Sequence, residues 1–225
     1  MCRAAAADGI EVIAATPHVR ADYPTSPEQM ERALAEVTAA VGGVVRLLPG
    51  GELALEELRR PAAEVRRFGL GGTPGYVLVE TPYVGWPLGI AQQLVELHAS
   101  GSVPVLAHPE RNPEVQLRPN LLEPLVAAGT LVQLTAAAVD GRLGRRARDC
   151  ARQLLDRGLA HLIASDAHAP SVRAIGMRRA ADALGDERLA RWLTVDVPQS
   201  IVDALPTPPR PARRRFHRLR LHLHV

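Results

Sequence analysis

The sequence predicts an α/β fold on a parallel sheet, and three observations carry that expectation. Six short apolar runs alternate with longer segments of helical period, the signature of βα units. The runs are continuously apolar and do not alternate, as strands buried on both faces require. The chain has 225 residues, 47% of them hydrophobic, which suits one large domain of the size α/β barrels commonly reach. Aromatic residues make up only 3%, so the core must be built from Ala, Val, Leu and Ile.

In chain order, CRAAAADGI (2–10) reads as the last turns of a helix with Gly9 as its C-cap. The expected strands are EVIAATP (11–17), VVRLLPG (44–50), YVLVETP (76–82), VPVLAHP (103–109), LVQLTAA (131–137) and HLIASDA (161–167). Helices are expected between them. The clearest is PEQMERALAEVTAA (27–40), which has Pro27 at its first position and Ser26 as a good N-cap. Further helices are expected at 54–67, 88–100, 119–128, 144–157 and 171–184, with a short one near 186–193. A helix feeding the first strand normally follows an earlier strand, so the fold is expected to begin one βα unit late.

The net charge of +3 hides an asymmetry. Residues 207–225 hold six arginines and no acid, so the remaining 206 residues sum to −3. All 27 basic residues are arginine. The expected organisation is a domain over 1–206 followed by a solvated, disordered basic tail over 207–225. The tail's arginines could meet nucleic-acid phosphates, but the segment is short, Pro-led and outside the domain, so no specific nucleic-acid partner is expected. Its His217, His222 and His224 belong to the tail's composition, and His98 and His161 are read as structural. Cys2 and Cys150 have no paired spacing, which argues against disulfides and thiolate zinc sites. No apolar run of membrane-spanning length and no signal peptide is present, so a cytoplasmic protein is expected.

The chemistry gathers at the strand ends. His18 follows the first strand and Glu52 the second; Glu80 and His108 close the third and fourth; Asp166 and His168 follow the sixth. In a parallel barrel those ends converge on one rim. Each residue alone reads more readily as a helix cap or loop residue. Five strands ending this way, in a chain with eight histidines, point together to a metal site. Imidazole and carboxylate without thiolate suit Mn²⁺, Fe, Zn²⁺ or Mg²⁺, and carboxylates can bridge two ions. Arg111 and Arg173 follow two of these strand ends and are placed to grip a phosphate. Arg111 could instead pair locally with Glu110 or Glu114.

The stretches ATPH (15–18), GGE (50–52), VETP (79–82), AHPERN (107–112), LVQLTAAAV (131–139) and ASDAH with Arg173 beyond it resemble the PHP (polymerase and histidinol phosphatase) superfamily. More narrowly, they resemble the bacterial manganese-dependent protein tyrosine phosphatases of capsule and exopolysaccharide operons. The resemblance implies a distorted seven-stranded barrel with two or three ions, manganese foremost. Glu52 would bridge two ions and Asp166 would hold the first. Glu80 and His108 would complete the second, and His18 and His168 would hold the third. Arg111 and Arg173 would bind the phosphate, with His168 or His108 protonating the leaving phenolate. The implied substrate is phosphotyrosine on protein, typically the tail of a bacterial tyrosine kinase controlling polysaccharide export. Such proteins also carry an Asp-x-His-x-His stretch on a first strand; this sequence begins beyond it, so weak binding at the first ion and poor turnover are expected.

Other readings stand beside it. A cysteine-dependent phosphatase needs a Cys-x₅-Arg loop, whereas Cys150 and Arg157 are spaced Cys-x₆-Arg inside an expected helix. A phosphoesterase for small-molecule phosphate monoesters is the nearest rival enzyme. A catalytically impaired remnant that binds a partner is the second.

Overall fold

The computed structural model describes residues 1–169 and 174–212. The first half contains α1 (Cys2–Ala7), β1 (Val12–Ala15), β2 (His18–Val19), α2 (Pro27–Val41), β3 (Arg46–Pro49), β4 (Glu52–Ala54) and α3 (Ala62–Arg67). There follow β5 (Tyr76–Glu80), α4 (Ile90–Ala99), β6 (Val103–Ala107), α5 (Pro113–Leu117), α6 (Glu123–Ala127), β7 (Leu131–Thr135) and α7 (Ala136–Val139). The chain closes with α8 (Arg145–Asp156), β8 (Leu162–Ala164), α9 (Met177–Leu184), α10 (Glu187–Arg191) and α11 (Val197–Val202).

Six strands form one parallel sheet in the order β2-β4-β5-β6-β7-β8, so all their C-terminal ends lie at one edge. Every residue of β5 and β7 is buried, as expected for strands covered on both faces. The first two expected strands are each broken in two. β1 pairs with β3 in a separate parallel ladder, Val12 opposite Arg46, and the same offset resumes where His18 stands opposite Glu52. The gap has a plain cause. Pro17 has no N–H to give the ladder, and Gly51 donates its own to Phe68 O at 2.9 Å.

Among the described residues no ladder joins β2 to β8, so the expected barrel is a curled open sheet in its hydrogen bonding. The two edge strands have only two and three residues. The edges nevertheless meet at the C-terminal end, where the ring centroids of His18 and His168 are 5.6 Å apart. A small second core formed by Ala5, Val45 and Ile175 packs α1 and the β1–β3 ladder against the segment leading into α9. The Asp8 carboxylate joins them, accepting the N–H of Met177 at 2.6 Å and of Arg178 at 3.2 Å.

Several boundaries differ from expectation. The helix expected at 54–67 is interrupted at Pro61, which precedes α3. The strand expected over 131–137 stops at Thr135, where the chain turns directly into α7. The helix expected from 171 begins at Met177, after Gly176 in a left-handed conformation; residues 170–173 lie outside the described residues. α5 was not expected, although Asn112 caps it by accepting the N–H of Glu114 at 2.9 Å. α8 buries Ala147, Cys150, Ala151 and Leu154, one apolar stripe at helical spacing.

At the opposite end of the sheet the chain returns across the strand starts. Tyr76 Oη donates to Leu205 O at 2.6 Å, and Trp192 Nε1 to Pro208 O at 3.0 Å. Arg210 lies over the Trp192 ring and donates to Ala160 O and Leu155 O, at the end of α8. The beginning of the basic segment thus packs on the domain, whereas residues 213–225 lie outside the described residues. His161, at the start of β8, accepts the Val132 N–H on Nδ1 at 3.1 Å. Burial, and after it the charge of Arg210, pushes this histidine down to about 4.

Two expectations follow. A Cβ at residue 51 would stand 2.7 Å from Phe68 Cδ1, a fully buried ring. Gly51→Ala should therefore lower stability by about 1–3 kcal/mol in urea unfolding, as overpacked sites do. For His161, whose ordinary value is 6.5, the unfolded chain takes up the proton first as pH falls. The stability held by the neutral ring is complete above 6.5 and is lost as pH falls toward about 4. Over that window the urea midpoint of the natural chain should fall more steeply than that of His161→Gln.

Candidate metal centre

The expected ligands assemble from adjacent strand ends. His18 and Glu52 are direct neighbours across β2 and β4, and Glu80 closes β5 opposite Ala54. Cross-strand partners point to the same side, so Glu52 and Glu80 share a face. His108 comes one residue after Ala107, itself opposite Glu80, and simple alternation would turn it away. It adopts φ 34° and ψ 47° instead, which re-aims its ring toward the carboxylates. Asp166 takes the same unusual region at φ 47°. A non-glycine residue there costs ~1–3 kcal/mol, and such strain gathers at functional sites.

His18, Glu52 and Glu80 each place a ligand atom within 4.8 Å of the others. His18 Nδ1 lies 2.7 Å from Glu52 Oε2 and 3.9 Å from Glu80 Oε2. His108 Nε2 faces Glu52 Oε1 at 2.8 Å and Glu80 Oε1 at 3.5 Å. Glu52, Glu80 and His108 are each only 4% exposed. Asp166 meets Arg111 Nη1 at 2.9 Å, and His168 Nδ1 lies 3.0 Å from the Asp166 carbonyl oxygen. The local pairing of Arg111 with Glu110 or Glu114 is not what forms. Glu114 binds Arg118, and the fully buried Glu110 accepts the Thr135 N–H at 2.9 Å. Arg173 lies outside the described residues.

The electrostatics follow from two carboxylates buried side by side. Burial alone would raise Glu52, but contacts with His108 and His18 outweigh it and hold the group down at about 2. Glu80 goes up, through burial and then the negative Glu52 beside it. The Glu52 carboxylate raises His18, and it raises His108 against the opposing effect of burial. Buried Glu80 Oε1 has no hydrogen-bond partner among the described residues, although it points into the cluster. A compact set of oxygen and imidazole donors, with protons taking up part of the charge, fits a divalent cation that would replace them. Cys150 is buried away in α8, and burial pushes its thiol up to about 12, so it offers no thiolate nucleophile.

The structure adds residues that the sequence reading did not single out. Arg20, two positions after His18, reaches Glu80 Oε2 at 3.5 Å and donates to Tyr83 Oη at 2.9 Å. Buried Asn112 donates to Pro82 O and Gly85 O at 2.9 and 3.0 Å, tying the loop after β5 to the loop after β6. Glu110 and Asn112 stand in the AHPERN stretch already in view; nothing local marks Arg20 beyond its nearness to His18.

The chain is similar to known proteins in both sequence and fold. Tyrosine-protein phosphatase YwqE of Bacillus subtilis (strain 168) is 33% identical over 173 residues, covering 75% of this chain and 68% of that protein. Putative tyrosine-protein phosphatase CapC of Staphylococcus aureus is 40% identical over 93 residues, 41% of this chain and 36% of that protein. A chain from the crystal structures of YwqE from Bacillus subtilis and CpsB from Streptococcus pneumoniae, unique metal-dependent tyrosine phosphatases, superposes with a TM-score of 0.82. It is 28% identical, over 95% of this chain and 90% of that chain. The family model for capsular polysaccharide synthesis, CpsB/CapC, matches residues 1–202, and the chain belongs to that family.

Proposed function

We propose that this chain is a metal-dependent protein tyrosine phosphatase of the capsular polysaccharide synthesis family. The observation that carries the reading is the buried cluster of His18, Glu52, Glu80 and His108 at the C-terminal ends of adjacent parallel strands. Glu52 stands centrally, with one oxygen toward His18 and the other toward His108, so that it would be able to serve more than one ion. In this reading Asp166 and Glu52 would hold one ion, His108 and Glu80 a second, and His18 and His168 a third. Manganese is the ion we favour for this mixed oxygen and imidazole set. Bound divalent cations supply a nucleophilic water at neutral pH and neutralise charge on the phosphoryl oxygens.

The chain's own groups do the rest. Arg111, together with Arg173, grips the phosphate through planar N–H pairs; Arg111 exchanges its Asp166 partner for substrate oxygens. In this reading a water activated by the bound cations would attack phosphorus in line, with no covalent phosphoenzyme. Where His168 is not bound to an ion, its side chain, 34% exposed, would be placed to protonate the leaving phenolate. The physiological substrate in this reading is phosphotyrosine on a bacterial tyrosine kinase of polysaccharide export. No described helix is long and apolar enough to cross a membrane.

The proton balance gives a direct check. His18 and His108 are raised above 6.5, so their pairing with Glu52 stabilises the metal-free protein fully below 6.5 and is lost as pH rises through the raised values. Metal binding requires them neutral and must grow over the same range. Thermal unfolding with and without Mn²⁺ should show a metal-induced rise in Tm that is larger at about pH 8 than at about pH 6. Hydrolysis of a phosphotyrosyl peptide should require Mn²⁺ and stop on chelation. Glu52→Gln should cut kcat/KM on the order of 10²-fold or more and weaken the Mn²⁺ response of Tm. Arg111→Ala should chiefly raise KM while sparing that metal response. Preference for a sugar phosphate over the peptide would overturn the substrate assignment.

A further inference from the structure

The chain is poor in aromatic residues, with three tyrosines, two phenylalanines and two tryptophans in 225 residues. Two of the three tyrosines nevertheless stand at the rim of the metal cluster, and both are more than half exposed: Tyr23 at 55% and Tyr83 at 53%. The Tyr23 ring is 5.8 Å from the ring of His18, centre to centre. Tyr83 is one guanidinium away from Glu80, because Arg20 Nη1 contacts both the Tyr83 hydroxyl and the Glu80 carboxylate. The same guanidinium carbon lies 5.1 Å from the Tyr23 ring centre and 5.3 Å from that of Tyr83. One fixed cation thus sets two rings beside the place where a phosphoryl group would bind.

Both rings sit on backbone that is tied down. Arg20 and Tyr23 exchange backbone hydrogen bonds at 3.1 and 2.9 Å, and Thr25 Oγ1 donates to His18 O at 2.9 Å. The Tyr83 loop is held from below by the buried Asn112 amide, bonded on either side of it at Pro82 O and Gly85 O. Leaving two large rings half in water wastes apolar area unless something covers them. The hydroxyl of Tyr83 is already engaged with Arg20, which leaves the ring as the available surface.

We infer that Tyr23 and Tyr83, fixed by Arg20, form an aryl subsite that receives the phenyl ring of the phosphorylated tyrosine and selects aryl over alkyl phosphate esters. The inference rests on the phosphatase reading above and names the part of the site that sets its substrate class. A phosphate held beside His18 would lie within a ring's length of Tyr23, whose centre is 5.8 Å from that of His18. A phenyl ring is long and flat enough to pack against these rings, whereas a short alkyl ester is not. Tyr23 and Tyr83 are specificity-determining residues and touch no reacting atom.

The test uses the full chain with Mn²⁺ and the variants Tyr23→Ala, Tyr83→Ala, Tyr23→Phe and Tyr83→Phe. Each alanine variant should raise KM for p-nitrophenyl phosphate and phosphotyrosyl peptide by about 3- to 10-fold. The kcat/KM for glycerol 2-phosphate should stay within about twofold of the natural chain, since that ester makes no ring contact. The phenylalanine variants keep the ring and should keep the aryl preference. Calorimetry with phenylphosphonate and methylphosphonate gives a second readout, in which the preference for the phenyl compound should collapse in the alanine variants only. If aryl and alkyl substrates lose equally, or the ratio does not move, the subsite is wrong and the phosphatase reading stands. If no phosphate ester is turned over but the phenyl preference is present and tyrosine-dependent, the catalytic reading fails and the subsite stands. Binding of neither phosphonate overturns both.

Discussion

Two carboxylates, Glu52 and Glu80, are buried on neighbouring parallel strands, and the upper half of the molecule is arranged around that fact. Removing an ion from water costs several kcal/mol even after the protein relaxes, so each must find compensation nearby. His18, His108 and Arg20 provide it from three different segments. A parallel sheet makes this arrangement economical, because every strand delivers its last residue to the same edge. The resulting cluster is rich in donors and holds protons on groups that a cation would displace.

The loops above the sheet bear the consequences. His108 and Asp166 both occupy left-handed backbone conformations, which turn their side chains in directions the strand geometry would not give. Strain of that kind persists only where neighbours hold it. Glu110 and Asn112 serve here, the first fixed to Thr135 at the end of β7 and the second to the loop carrying Tyr83. The residues that aim the site are therefore interleaved with those expected to use it, within the single stretch AHPERN.

The far end of the sheet has a different task. Trp192 and Arg210 join this end of the sheet to the returning chain through hydrogen bonds to backbone carbonyls, and His161 ties the start of β8 to β7 by accepting the Val132 N–H. Chemistry at the C-terminal ends and structural anchoring at the N-terminal ends is the division expected of parallel α/β architectures.

The sequence by itself determined which residue types stand at the strand ends, that central strands such as β5 and β7 are buried on both faces, and that ATPH, GGE, VETP, AHPERN and ASDAH belong to one pattern. Those features are local: a run of apolar residues followed by a ligand is visible without knowing what lies opposite. The breaks at Pro17 and Gly51 were marked by residues that interrupt ladders, yet the common offset of the two ladders emerged only from pairing. Only the tertiary structure decided that the short edge strands leave the sheet open in hydrogen bonding while their ends still meet at His18 and His168. It alone joined Arg111 to Asp166 and set Arg20 between Glu80 and the two rim tyrosines. Except for Arg20 with Tyr23, these contacts join residues tens of positions apart, and the curl of the sheet, which no local pattern encodes, fixes their distances.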